Sequence, residues 1–377
     1  MVKRIASVGL AGLVVLLLLS ACAAPKAAPA PAPEKPAATP APAAPKPALS
    51  REQQLVEAAK AAGEKEVVLW SLSWYQGPVE KAFEAKYPFL KLKAVDMSAE
   101  LEPRLTEEYK AGKYSPDVIQ LPVYRAIRVR GAGILQEFPF SNWPNSWPGQ
   151  PQHNFWRNNL ASSYPSMYNT QLVSPSDVPR KWEDLADPKW RGRAIISTSA
   201  GSWIIAFAYE LGDLTKEGVK WDRTLTFWKK VVEATRPRIG TGFKSPLDSV
   251  IVGDAVIALN GSATIGLYNI RLGAPIDFAP YPKIYADPLS IALPKNPPHP
   301  NAAQLLIDFL TSEEGNLIHA NTAPTLTQHP EAARKALSNQ YFARKGTQLA
   351  YVPMELTPEA LFPQADDLWI REIIGRR

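Results

Sequence analysis

Cysteine is almost absent from this chain, since Cys22 is the only one among 377 residues. A single cysteine excludes an internal disulfide, and the chain beyond Cys22 has neither a cysteine nucleophile nor a cysteine metal ligand. A domain of this size can be stable without disulfides because its core is large enough. Histidine is nearly as scarce, and the four histidines are scattered along the chain at positions 153, 299, 319 and 329.

Familiar catalytic motifs are also missing. The sequence has no Gly-x-Ser-x-Gly nucleophile elbow, no His-Glu-x-x-His zinc helix and no Gly-x-x-x-x-Gly-Lys-Ser/Thr phosphate loop. Ser202 follows a glycine, but no histidine can be assigned as its partner. The pair Asp366-Asp367 is more typical of a solvated turn than of an acid/base dyad. Because the two carboxylates of a glycosidase leave no local motif, an exported hydrolase stays an alternative to the prediction that the protein is not an enzyme.

The charge pattern does not favour a nucleic-acid partner. The whole chain carries a formal charge of +6. Residues 1–50 hold five basic residues and one acidic residue, which leaves 37 basic and 35 acidic residues in the rest of the chain. The basic excess therefore belongs mainly to the N-terminal segment, and we predict no binding of nucleic acid.

The N-terminus is typical of an exported protein. Lys3 and Arg4 precede an uncharged apolar run over residues 5–19, which is the pattern of a secretory signal. The run is shorter than the roughly 20 apolar residues of a membrane-spanning helix. The stretch Leu19-Ser20-Ala21-Cys22 resembles a bacterial lipobox, which implies that residues 1–21 are a signal peptide and that Cys22 is lipidated. We therefore expect the protein to be anchored to a cell membrane through Cys22, on its extracytoplasmic or periplasmic face.

Residues 22–50 follow as a segment made almost entirely of alanine, proline and lysine, without any aromatic residue. Such a composition cannot bury enough apolar surface to offset the entropy lost on ordering. Proline also keeps the segment extended. We predict a disordered tether that holds a folded domain away from the membrane.

From residue 51 onward the sequence predicts an α/β fold. Helical and strand patterns alternate, as expected for a parallel sheet with crossover helices. The predicted strands cover 66–72, 90–95, 117–121, 193–197, 255–259 and 289–293, and the predicted helices include 51–62, 99–112, 124–132, 202–211, 222–234, 301–310 and 312–320. Residues 139–157 show no pattern that can be assigned. Roughly 320 residues exceed what one core usually serves, so two lobes are expected.

Several segments between residues 65 and 330 resemble type 2 periplasmic-binding proteins, in the branch related to ferric-ion-binding and other extracellular solute-binding proteins. The segments occur in the family's order, and the clearest are Tyr168-Asn169-Thr170, Trp182-Glu183-Asp184-Leu185, Asp187-Pro188-Lys189-Trp190-Arg191-Gly192, Gly253-Asp254-Ala255-Val256 and Asp308-Phe309-Leu310-Thr311-Ser312. The resemblance implies two α/β lobes joined by hinge strands, with a ligand cleft between them that closes on the ligand.

The same resemblance implies the division of the chain and its role. Lobe 1 would comprise 51–163 and 285–330, and lobe 2 would comprise 164–284 and 331–377. The protein would be a monomer that delivers a small-molecule ligand to the permease of an ABC transporter in the membrane. A receptor subunit that binds ligand in order to signal needs the same cleft and is an alternative.

Loops that connect strands to helices are the candidates for lining this cleft, because open α/β sheets bind ligands at the carboxyl ends of their strands. Ser73, Trp74 and Tyr75 precede a helix N-terminus, which presents free N–H groups to an anion or polar group. The alternative is that the two rings only pack beneath the loop. Ser199 and Ser202 form the matching loop of the second lobe, where helix capping is the alternative role. The other candidates are Ser98, Arg125, Ser245, Tyr268 and Tyr285.

The nature of the ligand is judged from Tyr268. Ferric-binding relatives hold iron with adjacent tyrosines, whereas the corresponding stretch here has Tyr268 followed by Asn269. Iron requires several hard anionic oxygens or imidazoles. We therefore expect a small organic solute and predict no metal and no cofactor; a ferric-iron-binding protein is the alternative. Arg125 could neutralise an anionic solute, and a solvated arginine is the alternative interpretation of that residue.

Overall fold

The computed structural model describes residues 49–71, 76–97, 100–140, 143–144, 150–151, 153–199, 202–353, 356–358 and 360–375. The signal peptide and tether, Cys22, and the candidate residues Ser73, Trp74, Tyr75 and Ser98 lie outside the described residues. Among the helices that the structure describes, none combines the length and the apolar character needed to cross a membrane.

The first part of the chain alternates helices and strands as the sequence predicts. In chain order it forms α1 (Arg51–Ala61), β1 (Glu66–Ser71), α2 (Gly77–Lys86), β2 (Lys91–Asp96), α3 (Leu101–Lys110), β3 (Val118–Pro122), α4 (Val123–Gly131) and β4 (Trp156–Ser163). The first helix begins with a capping box, in which the Ser50 hydroxyl and the Gln53 side chain each bond the other's backbone N–H. Strands β2, β1 and β3 are parallel neighbours, so the crossover arrangement is confirmed.

Strand β4 corrects the sequence analysis, which found no pattern over residues 139–157 and assigned none up to Ser162. The strand contains Arg157, Asn158 and Asn159, all of which are buried. The Arg157 Nε donates to the Trp143 carbonyl over 2.9 Å. The Gln120 side chain donates to Asn159 Oδ1 over 3.2 Å. Because the Arg157 guanidinium and the Asn159 side-chain oxygen bond to groups of other segments, the strand can be buried without being apolar.

The middle of the chain forms a second sheet. Its elements are β5 (Met167–Asn169), the 3₁₀ segments Trp182–Ala186 and Pro188–Trp190, β6 (Ala194–Ser197), α5 (Ser202–Glu210), the hairpin β7 (Leu214–Thr215) and β8 (Gly218–Val219), α6 (Asp222–Thr235), β9 (Arg238–Gly240), α7 (Lys244–Ile251), β10 (Ile257–Ala258), α8 (Ala263–Arg271) and β11 (Ile276–Phe278). The strand order is β11-β5-β10-β6-β9, and β10, β6 and β9 are parallel.

The rest of the chain returns to the first sheet. It comprises β12 (Lys283–Ala292), α9 (Pro300–Leu310), α10 (Glu313–Thr322), β13 (Leu326–Thr327), α11 (Pro330–Lys335), α12 (Leu337–Arg344), β14 (Gln348–Ala350), α13 (Leu361–Leu368) and the π-helical segment Trp369–Ile374. The first sheet has the order β13-β4-β12-β3-β1-β2, with β14 paired to β12 as well.

Two connections join the sheets. The chain passes from the first sheet to the second between Ser163 and Met167, and it returns between Phe278 and Lys283. Strand β12 begins six residues before the predicted 289–293, which corrects the sequence analysis. Proline inside a strand usually marks a strand end or a bulge. Here Pro288 pairs opposite Ala161, and the register shifts just after it, between Leu289 and Ser290.

Candidate functional site

Helix N-termini of the second sheet converge at one edge. Strands β6, β9 and β10 are parallel, so their carboxyl ends meet at the same edge of the sheet. The helix α5 begins at Ser202 after β6, α7 begins at Lys244 after β9, and α8 begins at Ala263 after β10. Such an edge presents backbone N–H groups and partial positive charge to a ligand.

The loop after β6 is held in place by internal hydrogen bonds. The Ser197 backbone N–H donates to Asn260 Oδ1 over 2.9 Å, and the Ser199 N–H donates to Ser197 Oγ over 2.9 Å. The Trp203 indole donates to the Ser199 carbonyl over 3.0 Å. Ser199, one of the predicted site residues, is thus positioned by both the neighbouring strand end and the first turn of α5.

A small cavity of about 30 Å³ lies beside the connections between the sheets. Its walls come from α4, the segment after β4, α5, β12 and the C-terminal tail, which brings parts of both sheets together. Most of its lining is apolar or aromatic, and the lining residues are Val123, Tyr164, Ser202, Trp203, Ile205, Ala206, Tyr285, Ala286, Asp287, Pro288, Val352, Thr357 and Phe362. The predicted residues Ser202 and Tyr285 line this cavity.

Among the lining residues that the structure describes, Asp287 is the one that is charged, and the sequence analysis did not identify it. Its carboxylate accepts a hydrogen bond from the Tyr164 hydroxyl over 3.3 Å and another from Ser202. Burial raises the pKa of Asp287 to about 6, and the bonds from Ser202 and Tyr164 act in the opposite direction. One feature of the sequence could have indicated Asp287. It is the single acidic residue in the stretch expected to cross between the lobes, and an apolar run follows it directly.

A second cavity, of about 20 Å³, shares Tyr164, Trp203, Ala206 and Tyr285 with the first, so the two adjoin. At its edge the Tyr285 hydroxyl donates to Glu210 Oε2 over 2.7 Å, and Lys283 Nζ lies 2.6 Å from the same oxygen. Burial, followed by the bond to Glu210, raises the pKa of Tyr285 to about 12. Tyr285 therefore stays a neutral hydrogen-bond donor across the physiological pH range.

Arg125 lies in the first turn of α4, directly after the cavity residue Val123 and Tyr124. Its Nε donates to the Tyr124 hydroxyl over 3.1 Å and lies 4.0 Å from Glu102. Glu102 also pairs with Arg128 at 3.1 Å. The charge of Arg125 is thus partly balanced within the protein, beside the cavity rather than in its lining.

Two other predicted residues lie apart from both cavities. Ser245 is exposed on the first turn of α7. Tyr268 is half-buried on the second turn of α8, which begins at Ala263. Within the part of the chain that the structure describes, no three His, Cys, Asp or Glu side chains lie close enough together to hold a metal ion.

Comparison with known proteins identifies the class to which this fold and cavity belong. Residues 79–345 match the family profile described as bacterial extracellular solute-binding protein. Because the match covers more than half of the chain, the protein belongs to this family. The predicted family and the α/β fold are therefore confirmed. Comparison with curated protein sequences gives no match.

Solved structures share the fold at low sequence identity. The substrate-binding protein of an ABC transporter from Agrobacterium tumefaciens has a TM-score of 0.65 and 17% identity, over 83% of this chain and 96% of that one. Iron-bound HitA from Pseudomonas aeruginosa has a TM-score of 0.62 and 18% identity, over 81% and 99%. AfuA from Actinobacillus pleuropneumoniae, with fructose-6-phosphate bound, has a TM-score of 0.59 and 17% identity, over 82% and 99%. These similarities concern the fold, since their ligands differ among themselves.

Proposed function

We propose that this protein is the binding subunit of an ABC-type importer and captures a small organic solute between its two sheets. The observation that carries the proposal is the cavity beside the connecting strands, walled by elements of both sheets. Apolar and aromatic walls with a few polar groups are typical of sites for organic ligands. Closure about connecting strands is the expected motion for such an arrangement.

An organic solute is favoured over ferric iron by the residues on α8. Tyr268 is followed by Asn269, and the Asn269 side chain donates to the Ile265 carbonyl of its own helix over 2.9 Å. The oxygen-rich set that iron requires would have to come from elsewhere. A role in binding rather than catalysis is supported by the family and by the absence of recognisable catalytic motifs in the sequence.

The anchoring and the lobes belong to the same proposal. The lipobox-like Leu19-Ser20-Ala21-Cys22 supports a lipid anchor at Cys22, and the composition of residues 22–50 supports a tether. A binding protein held at the membrane surface stays close to its permease. The lobes are proposed to comprise 51–163 with 285–330 and 164–284 with 331–377, and the molecule is proposed to act as a monomer.

The test is a thermal-shift screen of the full-length protein, purified from membranes in detergent, against anionic, cationic and neutral metabolites. A solute present at 100 times its dissociation constant should stabilise the protein by about 2.7 kcal/mol. Native mass spectrometry would then give a stoichiometry of one. The proposal fails if the whole screen gives no shift and the protein instead turns over an ester or a glycoside.

A further inference from the structure

The cavity beside the connecting strands contains an acid without a basic partner. Among its described lining residues there is no lysine, arginine or histidine. The nearby cation Lys283 pairs with Glu210 at 2.6 Å, and Arg125 lies beside Glu102. Within the described part of the chain, the hydrogen-bond donors to Asp287 are the neutral hydroxyls of Tyr164 and Ser202. A half-buried carboxylate beside apolar walls is unfavourable without a counter-charge, so a ligand that supplied one would be bound more tightly.

Aromatic rings share the cavity lining with this carboxylate. Tyr164, Trp203, Tyr285 and Phe362 all line the cavity. They are held by other rings: Tyr164 stacks on Phe243 with centroids 4.8 Å apart, and Trp203 packs edge-on against Trp369 at 4.9 Å. Aromatic faces attract ammonium groups most strongly where water is excluded.

We propose that the cavity binds the alkylammonium group of a small organic solute, with Asp287 as its counter-charge and the surrounding rings as its walls. This inference rests on the proposed solute-binding function and names the class of solute. It replaces the anionic ligand expected from Arg125, because that guanidinium lies near Glu102 and outside the cavity lining. A carboxylate with aromatic faces discriminates by charge, since an uncharged isostere leaves the carboxylate unpaired.

The pH dependence follows from the same group. Asp287 faces Tyr164 from the connection after β4 and Ser202 from α5. Burial raises the pKa of the nearby Tyr124 of α4, Arg125 lowers it, and Asp287 and Asp366 of α13 raise it, so these charged groups lie around the same region. Burial raises the pKa of Asp287 to about 6. Protonation below that pH would remove the counter-charge, so affinity for a cationic probe should fall on acidification, while affinity for a neutral probe should not.

The experiment compares probes of one shape and different charge by titration calorimetry on the full-length protein. The cationic probes are choline and phenethylamine, and their neutral counterparts are 3,3-dimethylbutan-1-ol and 2-phenylethanol. We expect at least one cationic probe to bind roughly tenfold or more tightly than its counterpart. Asp287→Asn should abolish that preference. The matched control, Asp177→Asn, removes the same charge from an exposed turn and should preserve the preference.

Three results would overturn the inference: equal binding of the neutral counterpart, a charge preference that survives Asp287→Asn, or no binding of either cationic probe. If Asp287→Asn does not fold, the test uses the wild-type protein instead. Its preference for the cationic probe over the neutral one should decrease as the pH is lowered from about 7.5 to about 5, and an unchanged preference would contradict the inference. An anionic solute that binds in the wider thermal-shift screen, while the cationic probes do not, would refute the amine class alone. The absence of any binding solute, together with turnover of an ester or a glycoside, would refute the proposed function itself.

Discussion

Replacing Trp369 should destabilise the half of the molecule that carries α5. Trp369 lies in the C-terminal tail, beyond the family match, yet its side chain is fully buried. The indole N–H donates to the Ser197 carbonyl over 3.0 Å, at the end of strand β6. The ring packs edge-on against Trp203 at 4.9 Å and against Trp228 at 5.4 Å.

The magnitude follows from these contacts. Truncating a fully buried tryptophan to alanine typically costs about 3–5 kcal/mol in transfer and cavity terms. The lost hydrogen bond leaves the Ser197 carbonyl without this donor, which accounts for about 1 kcal/mol of that loss. Trp369→Phe keeps most of the ring contact and should therefore cost roughly 1–2 kcal/mol, chiefly from the hydrogen bond and the smaller ring.

The assay is urea denaturation followed by tryptophan fluorescence and by circular dichroism, with the free energy of unfolding extrapolated to water. The matched control is Ile370→Ala on the next residue, whose side chain is 47% exposed and should change stability by less than about 0.5 kcal/mol. If Trp369→Ala costs no more than Ile370→Ala, the tail is not part of this core and the reasoning is wrong.

Four further outcomes are expected. Burial raises the pKa of Asp287 from 3.8 to about 6, so the folded state holds this proton more tightly than the unfolded state does. The free energy of unfolding should therefore decrease, by up to about 3 kcal/mol, as pH rises between these two values. In Asp287→Asn this decrease should be absent, which urea denaturation across the same pH range would measure. A double-mutant cycle with Tyr124→Leu and Phe362→Leu should give a coupling of about 0.5–1.5 kcal/mol, since the rings stack with centroids 4.8 Å apart, and an additive result would contradict the stack. Cys22→Ser should move the protein from the membrane to the soluble fraction of fractionated cells, and retention at the membrane would exclude the anchor. Added ferric iron should give no tyrosinate charge-transfer absorption, whereas a band that disappears in Tyr268→Phe would favour the iron alternative.

Helices and strands with regular apolar periods could be predicted from the sequence. Helix α5 was expected over 202–211 and runs from Ser202 to Glu210, and α6 was expected over 222–234 and runs from Asp222 to Thr235. Their apolar faces pack into one core, so local pattern and burial agree. Those predictions are confirmed within the usual uncertainty of an element end.

Strand β4 could not be predicted, because its burial depends on partners that are distant in sequence. Arg157 is buried, yet the Trp143 and His153 carbonyls accept its hydrogen bonds and the Phe140 ring lies 4.6 Å from its guanidinium. A run of Arg, Asn and Asn indicates an exposed loop unless these acceptors are known. The pattern of apolar residues in the sequence does not show which buried polar side chains will find hydrogen-bond partners.

The candidate site was predicted only in part for a related reason. Ser202 and Tyr285 line the cavity, while Arg125 lies beside it and Ser245 lies on the surface. The rule that ligands bind near strand ends identifies loops, and it says little about residues inside the connecting strands. Asp287 lies within β12, in a position where the antiparallel pairing with β4 brings it opposite Ser162.

The C-terminal tail adds walls to the cavity from beyond the region that the family profile matches. The family match ends at residue 345, yet Val352, Thr357 and Phe362 wall the cavity from beyond it. Phe362 also reaches Tyr124 on α4, so the tail contacts elements on both sides of the cavity. Because part of the cavity wall comes from residues that the family profile does not match, the shape and charge of the cavity depend on residues particular to this chain. The proposed recognition of a ligand by Asp287 is therefore argued from the residues around this carboxylate. A carboxylate in a mostly apolar cavity lowers the stability of the fold, and such a cost is expected where the residue serves binding.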